Sequence, residues 1–180
     1  RIGLIMNLIL LSSIRTTLAS VRCFNTEAGN SLTGADYHRT RGVDHRGCAM
    51  ECRDDPSCLA YEWHAKTETC YLKSRSLSSS LGKKEDAVVG FCLDEDDEIR
   101  DRFYDHEIEG PVVHEETGVE GDECRGLCMT KEKSIIYSWS PAEPENDEST
   151  VGLCRCIESI RSIKLTFNTF SGFLPQRRHK

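Results

Sequence analysis

Ten cysteines in a chain of 180 residues constrain this sequence more than any other feature. Cysteine at that density belongs to small units in which covalent cross-links or metal ions supply stability that the hydrophobic core cannot. The composition agrees, since only 38% of residues are apolar and the mean hydropathy is −0.47, too thin for one large core. Two classes compete on cysteine count alone: an extracellular disulfide scaffold and a cytosolic metal or redox protein.

The N-terminus favours the first. Arg1 is followed by an apolar run from Ile2 to Leu11 and then by small residues around Ala19 and Ser20. A basic start, a short apolar stretch and small residues at its end are the parts of a secretory signal peptide. We expect residues 1–19 to be that signal and the product to be secreted and extracellular. The run is short for a bilayer span, and no second long apolar stretch occurs, so no transmembrane anchor is expected. The chain opens on Arg1 rather than Met, which leaves room for upstream sequence.

Charge is unevenly spread. Residues 20–93 balance ten basic against ten acidic side chains, whereas residues 94–180 set eleven against twenty. An acidic second half argues against nucleic acid as a partner.

A repeat organises the chain. Cys48-x-x-x-Cys52 recurs 76 residues later as Cys124-x-x-x-Cys128, and at that spacing Gly34, His38, Gly42, Val43, Tyr61 and Trp63 meet Gly110, His114, Gly118, Val119, Tyr137 and Trp139. Those are eight identities among thirty positions, where about two would arise from average residue usage. Gly90-Phe91 meets Gly172-Phe173 after a small insertion. This predicts a first module over 20–93, an acidic linker over 94–98 and a second module over 99–176. Five adjacent carboxylates from Asp94 to Glu98 without a turn glycine read as a solvated linker rather than a calcium loop.

Within the first module Gly34 and Gly42 punctuate a strand and turn. Asp44 can cap a helix that runs to about Asp54, with Pro56 stopping it. Cys48 and Cys52 then share one helical face. Cys58 to Trp63 reads as a half-buried strand with Leu59, Tyr61 and Trp63 on one side, and Cys70 to Lys73 and Ala87 to Cys92 read as further strands. The fold class predicted is α+β: two small disulfide-rich modules, each one helix packed on an antiparallel β-sheet.

Six cysteines allow fifteen pairings, but losses in the second copy discriminate among them. Cys23 meets Ile99 and Cys92 meets Leu174; their joint loss points to a Cys23–Cys92 bridge. Cys58 becomes Ser134, while Cys156 appears two residues after Cys154. Positions two apart in a strand face one side, as do positions four apart on a helix. The reading is Cys124 with Cys154 and Cys128 with Cys156, and by alignment Cys48 with Cys70 and Cys52 with Cys58. A four-cysteine zinc site at Cys124, Cys128, Cys154 and Cys156 is the competing reading.

The ordered set Cys23, Cys48-x3-Cys52-x5-Cys58, Tyr61-x-Trp63, Cys70-Tyr71-Leu72 and Cys92 resembles a PAN/apple module. Residues 99–174 resemble it only as a degenerate copy without the outer bridge. The resemblance implies a helix on an antiparallel sheet with first-to-sixth, second-to-fifth and third-to-fourth bridges. It also implies binding of proteins or carbohydrates, including heparin-like chains and terminal sugars, with no catalysis by the module itself.

No catalytic constellation appears: Gly-x-Ser-x-Gly, His-Glu-x-x-His and a glycine-rich phosphate loop are all missing from the sequence. No enzyme activity and no cofactor are expected. The candidate ligand residues are His38, Arg39, Arg41, His45, Arg46 and Arg53, a basic cluster around the turn and helix start that could hold sulfated glycans through bidentate contacts. Asp36, Asp44, Glu51 and Asp54 are interleaved with them, which is also how a solvated face looks. His38 and His114 recur at one repeat position and read as structural histidines near a turn. Tyr61, Trp63, Tyr137 and Trp139 read as sheet core rather than sugar-stacking platforms. The chain carries no Asn-x-Ser/Thr sequon. The function expected is a secreted, non-catalytic adhesion or recognition protein that binds an extracellular protein or glycan through its first module. The alternative is a structural or regulatory fragment of a larger extracellular protein.

Overall fold

The computed structural model describes residues 21–94, 101–143 and 150–175. The expected signal segment and most of the acidic linker lie outside the described residues. The architecture is α+β, with antiparallel sheets and two short helices.

Asp44 starts the first helix. Its extended backbone leaves the side chain free to accept the Gly47 N–H at 2.7 Å, and α1 (His45–Asp54) follows, satisfying one of the donors that every helix start orphans. Only Cys48 and Cys52 of α1 are fully buried. They press onto a five-stranded sheet built from β1 (Val21–Asn25), β7 (Ala87–Asp94), β4 (Cys58–His64), β5 (Thr69–Ser74) and β3 (Asp36–Arg41), in that spatial order.

The second module repeats this plan. The helix α2 (Gly121–Met129) lies on strands β9 (Val112–Glu120), β11 (Val151–Ile157), β10 (Ile136–Pro141), β12 (Ser162–Phe173) and β8 (Phe103–Glu109), neighbours in that order. The repeat reaches single hydrogen bonds. Trp63 Nε1 donates to the Val43 carbonyl at 2.8 Å, and Trp139 Nε1 to the Val119 carbonyl at 3.0 Å.

Two short strands cross between the units. The strands β2 (Asn30–Leu32) and β6 (Ser79–Lys83) come from the first repeat, yet β6 pairs with β12 and extends the second sheet to seven strands. The sequence reading foresaw neither these strands nor their placement. Their patterns, Asn-Ser-Leu and Ser-Ser-Leu-Gly-Lys, are too short and polar to show a strand period.

The core divides into three. Each helix covers one face of its own sheet, α1 over Tyr61, Leu72 and Cys70, and α2 over Tyr137, Trp139, Cys154 and Cys156. The remaining sheet faces meet each other. Leu59, Ala60, Val89, Phe91 and Leu93 pack with Phe103, Ile108, Ile136, Ile157 and Ile163 in one cluster. The layers therefore run helix, sheet, sheet, helix. Phe24 stacks on Phe173 with ring centroids 4.2 Å apart, and Phe103 meets Phe91 and Phe173 edge-on, geometries that aromatic pairs favour.

Five bridges close the structure: Cys23–Cys92, Cys48–Cys70, Cys52–Cys58, Cys124–Cys154 and Cys128–Cys156. No cysteine is left free.

Candidate functional site

Strand alternation sends successive side chains to opposite faces. On β4 and β5, Tyr61, Trp63, Cys70 and Leu72 point toward α1, so Glu62, His64, Tyr71 and Lys73 point the other way. Most of that second face is sealed by the other sheet. At its open end lies a pocket of about 430 Å³ lined by Gly34, Asp36, Glu62, His64, Tyr71, Lys73 and Lys84, among others.

The centre of this pocket is a buried carboxylate. Glu62 Oε2 accepts the Leu32 N–H at 2.8 Å, and Oε1 lies 2.6 Å from His64 Nε2. Lys73 Nζ stands 3.7 Å from Oε2 and Lys84 Nζ 3.8 Å from Oε1. The Lys73 side chain is 2% exposed, and its ammonium donates to Asp36 Oδ1 at 2.7 Å and to the Gly34 carbonyl at 3.3 Å. Lys84 Nζ also approaches the His64 ring, 3.4 Å from Nδ1. Lys84 Nζ stands closer still to His64 Nε2, at 3.0 Å, so Glu62, His64 and Lys84 meet around one ring nitrogen. Two ammonium groups and two carboxylates thus cancel. Buried charge persists only when compensated in this way. Tyr71 lies against the His64 ring at 4.8 Å between centroids and is half-buried at the pocket wall.

The six basic residues singled out in the sequence fall on two faces. Arg39 pairs with Tyr71 and Arg41 with Thr69 across β3 and β5, so both lie exposed on the pocket face. The other four lie on the helix side. Thr40 Oγ1 donates to Glu51 Oε2 at 2.9 Å and accepts from His38 Nε2 at 3.2 Å. His45 Nε2 lies 2.9 Å from the Tyr61 hydroxyl, whose own proton goes to Asn25 Oδ1 at 2.6 Å; His45 is therefore the donor to Tyr61. Burial lowers the His45 pKa below the ordinary imidazole value and pushes Tyr61 up to about 12. Arg46 is exposed on the first turn of α1, and Arg53 pairs with Asp54 at 2.8 Å. The repeated histidines differ: His114 Nε2 faces Glu116 at 3.1 Å.

Sequence reasoning passed over Glu62, His64, Lys73 and Lys84. One signal was present. Charged residues interrupt otherwise apolar strands at Glu62 and Lys73, and a charge inside a buried strand needs a partner.

The second module has no comparable chemistry at the matching place. Buried Ser138 stands where Glu62 stands in the first module and accepts from Ser171 at 2.8 Å. Arg155 stands in the Tyr71 position and is held between Glu107 and Glu115. A larger cleft of about 650 Å³ runs between the modules over Phe24, Leu81, Ile135 and Ile160. Its charged residues Glu27, Lys83, Glu158 and Arg161 are exposed, whereas the smaller pocket holds the buried charges of Glu62 and Lys73.

The model of the PAN domain family matches residues 23–95. That segment is similar to a PAN domain. PAN modules serve binding rather than catalysis, and disulfide-rich examples are typical of extracellular proteins. No curated protein matches the chain. Among solved structures, it is similar to the two N-terminal apple domains of Toxoplasma gondii microneme protein 4, at 12% identity over 82% of this chain and 88% of that one, with a TM-score of 0.34. No helix among the described residues is long and apolar enough to cross a membrane.

Proposed function

We propose that this protein is a non-catalytic extracellular binding protein whose PAN-like module holds a neutral sugar residue in the pocket around Glu62. The observation that carries this reading is the convergence of donors and acceptors on one small cavity. Lys73, Lys84 and His64 offer N–H groups, while Glu62, Asp36 and the Gly34 carbonyl accept. A hexose presents hydroxyls that both donate and accept, and it matches such a mixed lining without adding charge. Because the fixed charges cancel, a polysulfated chain gains little there. Tyr71 supplies an apolar ring at the wall for the C–H face of the sugar. The volume falls within the range of about 300–1,000 Å³ usual for small-ligand sites. Arg39 and Arg41, on the same face, extend the contact toward a flanking residue of the glycan. The five bridges and the absence of a free thiol support an oxidising, extracellular setting.

A glycan array followed by calorimetric titration with the best saccharide tests this. Tyr71→Ala and Lys84→Ala should each weaken binding at least about tenfold, which corresponds to ~1.4 kcal/mol, while Arg46→Ala on the helix side leaves it unchanged. Absence of any saccharide signal from the wild-type chain, or undiminished binding by Tyr71→Ala, refutes the assignment.

A further inference from the structure

Each sheet ends in an exposed strand, and these two strands are copies of one another. In the repeat, His38, Arg39, Thr40 and Arg41 of β3 meet His114, Glu115, Glu116 and Thr117 of β9. Among the described residues β3 pairs only with β5 and β9 only with β11, so each leaves one side of its backbone without a neighbouring strand. Both are exposed along most of their length. The Gly42 N–H donates to the Glu68 carbonyl at 2.8 Å. By alternation His38 and Thr40 also spend their backbone groups on β5, whereas Arg39 and Arg41 turn theirs outward. Register shifts fall before His38 in β3 and on either side of His114–Thr117 in β9, so four regular residues stand at each edge. Their charges are opposite. Arg39 and Arg41 hold no ion pair among the described residues, while Asp36 is engaged by Lys73. The strand β9 carries Glu115, Glu116 and Glu120 and no lysine or arginine. Arg155 divides its guanidinium between Glu107 and Glu115, and the side chains of Glu115 and Glu116 remain half exposed. An edge strand with free backbone groups is a template for another strand.

We propose that the chain assembles head to tail, with β3 of one copy pairing antiparallel to β9 of the next. When Arg39 stands opposite Glu115, His38 meets Glu116, Thr40 meets His114, and Arg41 reaches Glu115 on the diagonal. The faces agree as well. Arg39 lies beside Tyr71 and Glu115 beside Arg155 on the sides away from the helices, while His38 lies beside Leu72 and Glu116 beside Cys154 on the helix sides. A centred pairing of β3 with its own twin sets arginine against arginine, and one of β9 sets glutamate against glutamate, which is unfavourable. The mixed pair avoids both. Because it joins two different patches, each copy at the end of an assembly keeps a free β3 or β9, and growth leads to rings or filaments. This goes beyond the sugar reading, which rests on Glu62, Tyr71 and Lys84 and not on the strand edges.

Sedimentation equilibrium of the full, disulfide-bonded chain tests this at concentrations up to about 1 mM. The mean mass should rise with concentration past that of a dimer, and raising salt from about 0.05 M to about 1 M should weaken association at least about tenfold. Arg39→Glu and Glu115→Arg, each with unchanged circular dichroism, should each lose at least about tenfold in association constant. An equimolar mixture of the two should associate again, because each then presents the strand that the other lacks, and Arg39→Glu/Glu115→Arg in one chain should behave like wild type. Glu115→Gln, which sets no like charge beside Arg155, should weaken association in the same direction. Lys84→Ala should associate as wild type does whether or not a saccharide binds. A monomer at every concentration, undiminished association of Arg39→Glu, or a mixture of the two folded reversal variants that stays monomeric overturns the proposal.

Discussion

At the residue scale, the recurrence of Gly90 and Gly172 has a steric cause. Each glycine sits opposite a tyrosine on the adjoining strand, Gly90 opposite Tyr61 and Gly172 opposite Tyr137. The tyrosine ring lies over the glycine backbone, so an added Cβ would stand 2.2 Å from Tyr61 or 2.6 Å from Tyr137. Gly90→Ala and Gly172→Ala should each cost about 1–3 kcal/mol by overpacking, read from urea unfolding. Gly126→Ala, on α2 with open space around it, should be neutral or stabilising by up to about 1 kcal/mol. Equal effects at Gly90 and Gly126 would contradict the steric account. His45 gives a prediction in pH. Its pKa is lowered by burial, so as pH falls below about 6.5 the unfolded chain takes up a proton before the folded one does. Stability therefore declines from near pH 6.5 downward. His45→Gln, which keeps a donor for Tyr61, should flatten the loss between pH 7 and 5 relative to wild type. Parallel stability profiles for the two proteins would exclude His45 as a source of that slope.

At the element scale, the bridges should differ in worth because the loops they close differ. Cys23–Cys92 spans 69 residues and Cys52–Cys58 only 6. On chain entropy these contribute about 4 and about 2 kcal/mol. Replacing each pair by serine should therefore lower the urea midpoint more for Cys23/Cys92, and the reverse order would show that native-state packing outweighs the unfolded chain. Such elements were legible because their signals are local. Asp44 caps within three residues, and alternation assigns Tyr61 and Trp63 to the helix face; Leu59, expected beside them, instead joins the core between the sheets, because the strand has an irregularity between Cys58 and Ala60. The pocket was not legible for the opposite reason. Glu62 takes its partners from Leu32, His64, Lys73 and Lys84, and three of these reach it only through sheet register and turns. Arg39, Arg41 and His45 are close in sequence, yet strand alternation sends the arginines to one face while the helix turns the histidine to the other. The crossing strand β6 was hidden as well, since its strand character comes from pairing with β2 and β12.

At the scale of the whole molecule, the tandem arrangement follows from a shortage of cover. One helix can shield only one face of a sheet, and each sheet has a second apolar face, with Val89 and Phe91 in one and Ile136, Ile157 and Phe173 in the other. Stacking those faces buries both without further sequence. The crossing of β6 into the second sheet ties them by backbone hydrogen bonds as well. Separate beads would unfold separately, whereas units that share a core and a sheet should unfold together. Phe103 is placed to decide between these cases: it is 1% exposed, belongs to the second repeat, and packs against Phe91 of the first. Trp63 and Trp139 lie in different repeats, so Trp139→Phe and Trp63→Phe variants report on each one alone by fluorescence. The two denaturation curves should coincide, and the calorimetric and van't Hoff enthalpies should agree. Phe103→Ala should remove about 3–5 kcal/mol and move both curves by the same amount. If only the Trp139 signal shifts, the shared cluster does not couple the modules, and each repeat is stable on its own helix and bridges.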